Sequence, residues 1–217
     1  MPSASLTKTQ KIIDISINIY PFTYKLLNKN WNKLLSDYLK KYPPALPVLN
    51  KAVGQLPEYL SRRKDILQKH PFISELARYE WLEVDIYERK RIKELENRRT
   101  RRKSKIFLLN PAHEICTFQY AIPDIVEMIE NNQPLGKIYK QRTIVLIYRD
   151  PNDFSVRFFE LSTSSLAFIE LLKSRFSIDM VIYFLANAYK IDKKNYKNFE
   201  KEAMKLIKTL KKSRILI

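Results

Sequence analysis

Glycine is almost missing from this chain: Gly54 and Gly136 are the only two in 217 residues. Without a Gly-rich loop there is no cradle for a phosphate, and tight hairpin turns of the glycine type must be few, so nucleotide-binding folds are disfavoured. Cysteine is rarer still. Cys116 stands alone, which excludes an internal disulfide and a thiolate metal cage and fits a reducing compartment. The two histidines, His70 and His113, lie too far apart in sequence to form a recognisable metal-ligand pair. Long apolar runs are absent as well. No stretch approaches the roughly 18 apolar residues of a membrane span, and Met1 to Lys11 has no apolar signal core. The expectation is a soluble, cytoplasmic protein.

What the chain has in excess is positive charge, 40 Lys and Arg against 23 Asp and Glu, for a net charge of +17. Such a field draws nucleic acid, anionic lipid or an acidic protein without choosing among them; the bland alternative is an AT-rich coding bias, which would inflate Lys together with Asn, Ile and Tyr. Residues 89 to 105 concentrate ten of the basic side chains with two Glu and read as a solvated helix end running into a linker, with a docking or nucleic-acid patch as the alternative.

Catalytic groupings are not signalled. Ser164, Ser165 and Cys116 lack a base at motif distance. Glu75, Glu80 and Glu83 share a helix, and paired carboxylates do acid and base work when one is buried. The stronger reading is that they cap or pair with Arg78 and other basic groups.

The hydrophobic fraction of 45%, with 11 Phe and 13 Tyr, supplies enough apolar surface for two cores. The pattern changes near residue 100, giving an α+β expectation: a helical domain over 1–100, then an α/β domain over 101–217. Trp31, Leu34, Leu35, Tyr38 and Leu39 recur at helical spacing, which predicts a helix from about Asn30 to Lys41. Pro43 to Pro57 reads as an extended connector, followed by a helix from Leu56 to about Gln68 and another from His70-Pro71 to about Tyr87. In the second half, Ile115 to Tyr120 reads as a strand and Ile122 to Glu130 as a helix. Thr143 to Tyr148 and Phe154 to Leu161 read as a hairpin around Asp150-Pro151-Asn152-Asp153. One face of the hairpin should be buried, with Val156, Phe158 and Leu161 alternating against Arg157, Phe159 and Glu160. Ser162 and Ser177 are placed to cap helices, and a last helix covers about Lys193 to Lys212.

Four segments in order, Trp31-Asn32-Lys33-Leu34-Leu35-Ser36-Asp37-Tyr38-Leu39, Tyr42-Pro43-Pro44 with Pro47, Leu56-Pro57-Glu58-Tyr59-Leu60 and Pro71-Phe72-Ile73-Ser74-Glu75-Leu76-Ala77-Arg78-Tyr79-Glu80-Trp81, resemble the MbnC/HvfC-like family, which carries a DNA-binding label. Leu109-Asn110-Pro111 and Ile147-Tyr148-Arg149-Asp150 resemble its second domain, and the likeness spans about residues 18 to 175. The helix that many members place ahead of Tyr20-Pro21 is expected to be short or absent here. The resemblance implies a non-catalytic accessory subunit with no cofactor of its own. It would pair as a heterodimer with an MbnB-like multinuclear non-heme iron enzyme and hold the leader of a ribosomally made precursor peptide, as in methanobactin biosynthesis. Pro71, Phe72, Arg78, Tyr79 and Trp81 are then the expected partner-facing set. An extended leader needs a strand edge for backbone pairing. The hairpin supplies one, with Thr143, Val145, Ile147, Phe154, Val156 and Phe158 as the expected peptide-binding residues. A DNA-binding transcriptional regulator using the basic segment is the alternative.

Overall fold

The computed structural model describes residues 7–44, 49–89, 108–174 and 176–216. The class is the expected α+β: among the described residues, helices accompany one three-stranded sheet. The chain divides into two compact units, one of residues 1–85 with 118–143 and the other of 86–117 with 144–217.

The first unit is helical. Helix α1 (Lys8–Ile19) starts where the Thr7 side chain accepts from the Gln10 amide, and it buries Ile12, Ile13, Ser16 and Ile19. These positions repeat at helical spacing, and they correct the expectation that a helix ahead of Tyr20 would be short or absent. Helix α2 (Pro21–Leu27) follows at once, then α3 (Trp31–Lys41) with Trp31, Leu34, Leu35 and Tyr38 buried. Part of the expected extended connector is instead a 3-10 turn, Asn50–Val53. Two tyrosines fix it: Tyr20 donates to the Val53 carbonyl at 2.7 Å and Tyr38 to the Ala52 carbonyl at 2.9 Å. Satisfying these buried carbonyls from side chains lets a short turn sit inside a core.

The expected helix from Leu56 to Gln68 is two, α4 (Leu56–Ser61) and α5 (Lys64–Leu67). Arg63 leaves helical geometry between them, at ψ 86. Its guanidinium bonds Asp65 and the Tyr59 hydroxyl and lies over the Tyr59 ring. Helix α6 (Ile73–Glu88) comes next, and α7 (Ile122–Glu130) keeps the bounds expected from sequence. Close approach explains one of the two glycines. A Cβ on Gly54 would lie 2.7 Å from the Trp81 ring.

The second unit holds the sheet, in the order β1-β2-β3, from β1 (His113–Phe118), β2 (Thr143–Arg149) and β3 (Val156–Leu161). β2 and β3 are antiparallel, with Ile147 opposite Phe158 and Val145 opposite Glu160. Ile144, Leu146, Tyr148 and Leu161 join a core with helices α8 (Thr163–Lys173), α9 (Ile178–Ala188) and α10 (Lys193–Lys212). Ser162, Ser177 and Asp192 cap these three helices by accepting from the amide three residues on, the geometry that makes such residues good N-caps. Two buried polar groups tie the C-terminal segment to the sheet. The Asn110 amide group donates to the Arg149 carbonyl at 2.8 Å and its backbone N–H to Ile215, while Asp150 pairs with Arg157 and Arg214, each at 3.2 Å.

The pleat corrects two expectations about the hairpin. Phe159, not Phe158, shares the Leu161 face and packs on this core, because residues two apart lie on one side of a strand. Burial is also two-sided in β2: Val145 and Ile147, on the opposite face, are as buried as Leu146.

Candidate functional site

Strand order decides which backbone can receive a peptide. β2 lies between β1 and β3, so its N–H and C=O groups serve the sheet's own ladders. Thr143, Val145 and Ile147 are also buried as side chains, and these three expected peptide-binding residues present neither an edge nor a readable surface. A central strand of a covered sheet reads as a continuous apolar run, and Thr143-Ile144-Val145-Leu146-Ile147 is such a run.

β3 is an edge. Across the turn the Asp150 amide donates to the Ser155 carbonyl at 2.8 Å and the Phe154 amide to the Asp150 carbonyl at 3.0 Å. The Asp150 N–H and the Ser155 carbonyl therefore face each other across the hairpin. By the alternation of an antiparallel ladder that starts there, Tyr148–Arg157, Leu146–Phe159 and Ile144–Leu161 are the hydrogen-bonded pairs. The backbone groups of Val156 and Glu160, at the intervening positions, point away from β2. Among the described residues no strand pairs with β3 on that side. Val156 and Phe158 are half-buried on one face, and Glu160 is exposed on it.

Phe154, expected on the strand, belongs to the turn. Its φ of 61 places it in the left-handed region that bulky residues avoid, which ends the hairpin loop and aims the chain into β3. Glu160 was not among the expected residues. The signal that could have found it is loop length: Pro151-Asn152-Asp153-Phe154 closed by Asp150 and Ser155 fixes which strand positions face outward.

The second expected set lies around α6, and most of it is core. Phe72 is buried, edge-on to Tyr120. Tyr79 is half-buried against Phe118, where burial pushes its hydroxyl pKa well up, and Trp81 covers Gly54. Only Pro71 and Arg78 of the five are exposed. Trp31, Tyr38, Leu56, Leu60, Phe72, Ile73 and Leu76, all in the four resembling segments, are among the buried core residues of the helical unit.

The α6 carboxylates act as caps, in trans. Glu80 is buried, and its oxygens accept from the Phe22 amide at 2.6 Å, the Thr23 amide at 3.3 Å and the Thr23 hydroxyl at 2.5 Å. It thereby satisfies the first amides of α2, which has no side-chain cap of its own. Burial pushes the Glu80 carboxyl up to about 7, while the Thr23 and Phe22 donors pull it down. Glu75 accepts from the Gln119 and Tyr120 amides, the shorter bond being 2.8 Å.

His70 and His113 are both held below the ordinary imidazole range, first by burial, and no group of three or more His, Cys, Asp or Glu among the described residues is placed to hold a metal ion. No helix of the described residues is long and apolar enough to cross a membrane. Of the basic segment 89–105, residues 90–105 lie outside the described residues. Arg89 bonds Glu114 and the His113 carbonyl, a contact internal to its unit.

No family model and no curated protein matches the sequence.

Proposed function

We propose that this chain is a non-catalytic accessory subunit of an iron-dependent peptide-modifying enzyme, and that it holds the leader of a precursor peptide as a fourth strand on the outer edge of β3. The reading joins the HvfC-like resemblance of residues 18 to 175 to one structural observation. The Val156 and Glu160 backbone groups point outward from an edge that no described strand covers. Strand addition needs only such a ladder for affinity, with alternate side chains setting preference. Val156, Phe158 and Glu160 line the face beside it.

A complex with a multinuclear iron oxidative enzyme should migrate as a one-to-one species and bury at least about 1,000 Å². A fluorescent leader peptide should bind the complex and lose at least about tenfold in affinity in Val156→Pro and Glu160→Pro. Each proline removes an outward N–H while leaving the β2 ladder intact, a position where edge strands tolerate proline. Circular dichroism checks that the variants fold. Unchanged leader affinity in both would place the peptide elsewhere, and separate migration of chain and enzyme at micromolar concentration would overturn the accessory role.

A further inference from the structure

Helix α10 carries eight lysines and two glutamates in twenty residues. Its apolar side is spent on the core: Ala203, Ile207 and Leu210 are buried, with Tyr196, Phe199 and Leu206 packed beside them. At 100° per residue the remaining residues are sorted. Lys194, Lys197, Lys201, Lys205, Lys208 and Lys212 all fall within an arc of about 80° opposite the buried side, and no other residue of the helix falls in it. All six are exposed. The row is about 27 Å long at 1.5 Å per residue.

A coding bias toward lysine does not explain this sorting. Lysines three and four apart on a helix repel, and a helix stabilised for its own sake interleaves acids. Here Glu200 and Glu202 stand on the two flanks of the row rather than in it, and Glu202 reaches only Lys205, at 2.7 Å, an exposed pair of little worth.

We infer that this face of α10 is a binding site for the phosphate backbone of duplex nucleic acid, engaged without sequence choice. Three features select this occupant. The row is straight, narrow and purely cationic, so it matches a line of phosphates, and lysine serves as a point charge for phosphate. It contains no aromatic or aliphatic anchor of the kind that centres a protein interface, where lysine is depleted. A planar anionic membrane would meet the flanking glutamates together with the lysines, and the helix's apolar side is buried apart from Met204 at the edge of the row, one side chain being too little to insert a helix. The inference is independent of the accessory-subunit reading.

The test is fluorescence anisotropy of a mixed-sequence 25-base-pair duplex titrated with the full-length protein across a salt series. The triple variant Lys201→Gln, Lys205→Gln, Lys208→Gln is compared with Lys33→Gln, Lys64→Gln, Lys69→Gln, which removes the same charge from exposed positions of the helical unit. The α10 triple should weaken binding at least about tenfold at low salt and flatten the log–log salt slope by 2 to 3, roughly 0.9 per lost phosphate contact. The control triple should weaken binding less than about threefold, as expected for a loss of net charge alone. A scrambled duplex should bind equally well. Equal losses in the two triples would overturn the site. So would tighter binding to poly-glutamate or to phosphatidylserine vesicles than to the duplex, which would assign the face to an acidic protein or a membrane.

Discussion

The two units reach stability by different chemistry. In the helical unit, side chains satisfy buried backbone across long sequence distances: Tyr20 and Tyr38 on the Asn50–Val53 turn, Glu80 on α2, Glu75 on residues 119 and 120. The Trp31 indole N–H is held by the Ser16 hydroxyl at 3.0 Å. The sheet unit instead packs aliphatic faces and caps its helices locally, with Ser162, Ser177 and Asp192. The first arrangement is sensitive to removal of single polar atoms and to pH. The second is sensitive to lost volume.

The largest effect should come from lost volume in the sheet unit. Leu146→Ala removes a fully buried side chain from the central strand and should cost about 2–5 kcal/mol in urea melts. A loss under about 1 kcal/mol would mean that this core is loosely packed.

The pH contrast comes next. Glu80 has a folded pKa of about 7, raised from 4.5, so between those values the folded chain keeps a proton that the unfolded chain has released. Stability contributed by this group therefore falls as pH rises from about 4.5 to 7, by about 3 kcal/mol in all, and is level below and above that window. Glu80→Gln keeps a carbonyl acceptor for the α2 amides and should abolish this slope, measured by urea melts at pH 5, 6, 7 and 8. A slope that survives in the variant would assign the pH dependence to another group.

A smaller effect belongs to Gly54. Gly54→Ala drives a methyl into the rigid Trp81 ring and should lower stability by about 1–3 kcal/mol. Gly54→Ala with Trp81→Phe should recover part of that loss, and failure to recover would mean the ring is not the obstacle.

The smallest effect is a gain, and it traces to the scarcity of glycine. Asn132, Lys190 and Arg214 follow helix ends at positive φ, between 53 and 56. Behind Lys190 the Ile191 amide returns to the Ala186 carbonyl at 2.8 Å, the bond of a Schellman ending in which glycine is favoured. Lys190→Gly should stabilise by about 0.5–1 kcal/mol, read as a rise in the urea midpoint.

Local signals in the sequence transferred well to the structure. Ser162 and Ser177 cap, Pro123 sits in the first turn of a helix with the expected bounds, and the hairpin forms where β-branched residues cluster. What was not legible depends on distant partners. The buried face of α1 includes Ser16 beside Ile12, Ile13 and Ile19, and that polar position is satisfied by the Trp31 indole from outside the helix. The Asn50–Val53 turn exists because of Tyr20 and Tyr38, which no local window contains. The central position of β2 likewise follows from β1, about 30 residues earlier in the chain. That one fact moves the candidate peptide site from Thr143, Val145 and Ile147 to the backbone of Val156 and Glu160.

Strand addition at β3 is distinguished from every other mode by which amides a bound leader protects. Hydrogen exchange on the complex, with and without leader peptide, reads this residue by residue. The outward amides of Val156 and Glu160 should slow by at least about tenfold on leader binding, while those of Val145 and Ile147, already inside the sheet, should stay unchanged. Unaltered exchange at Val156 and Glu160 under saturating leader would contradict strand addition at β3.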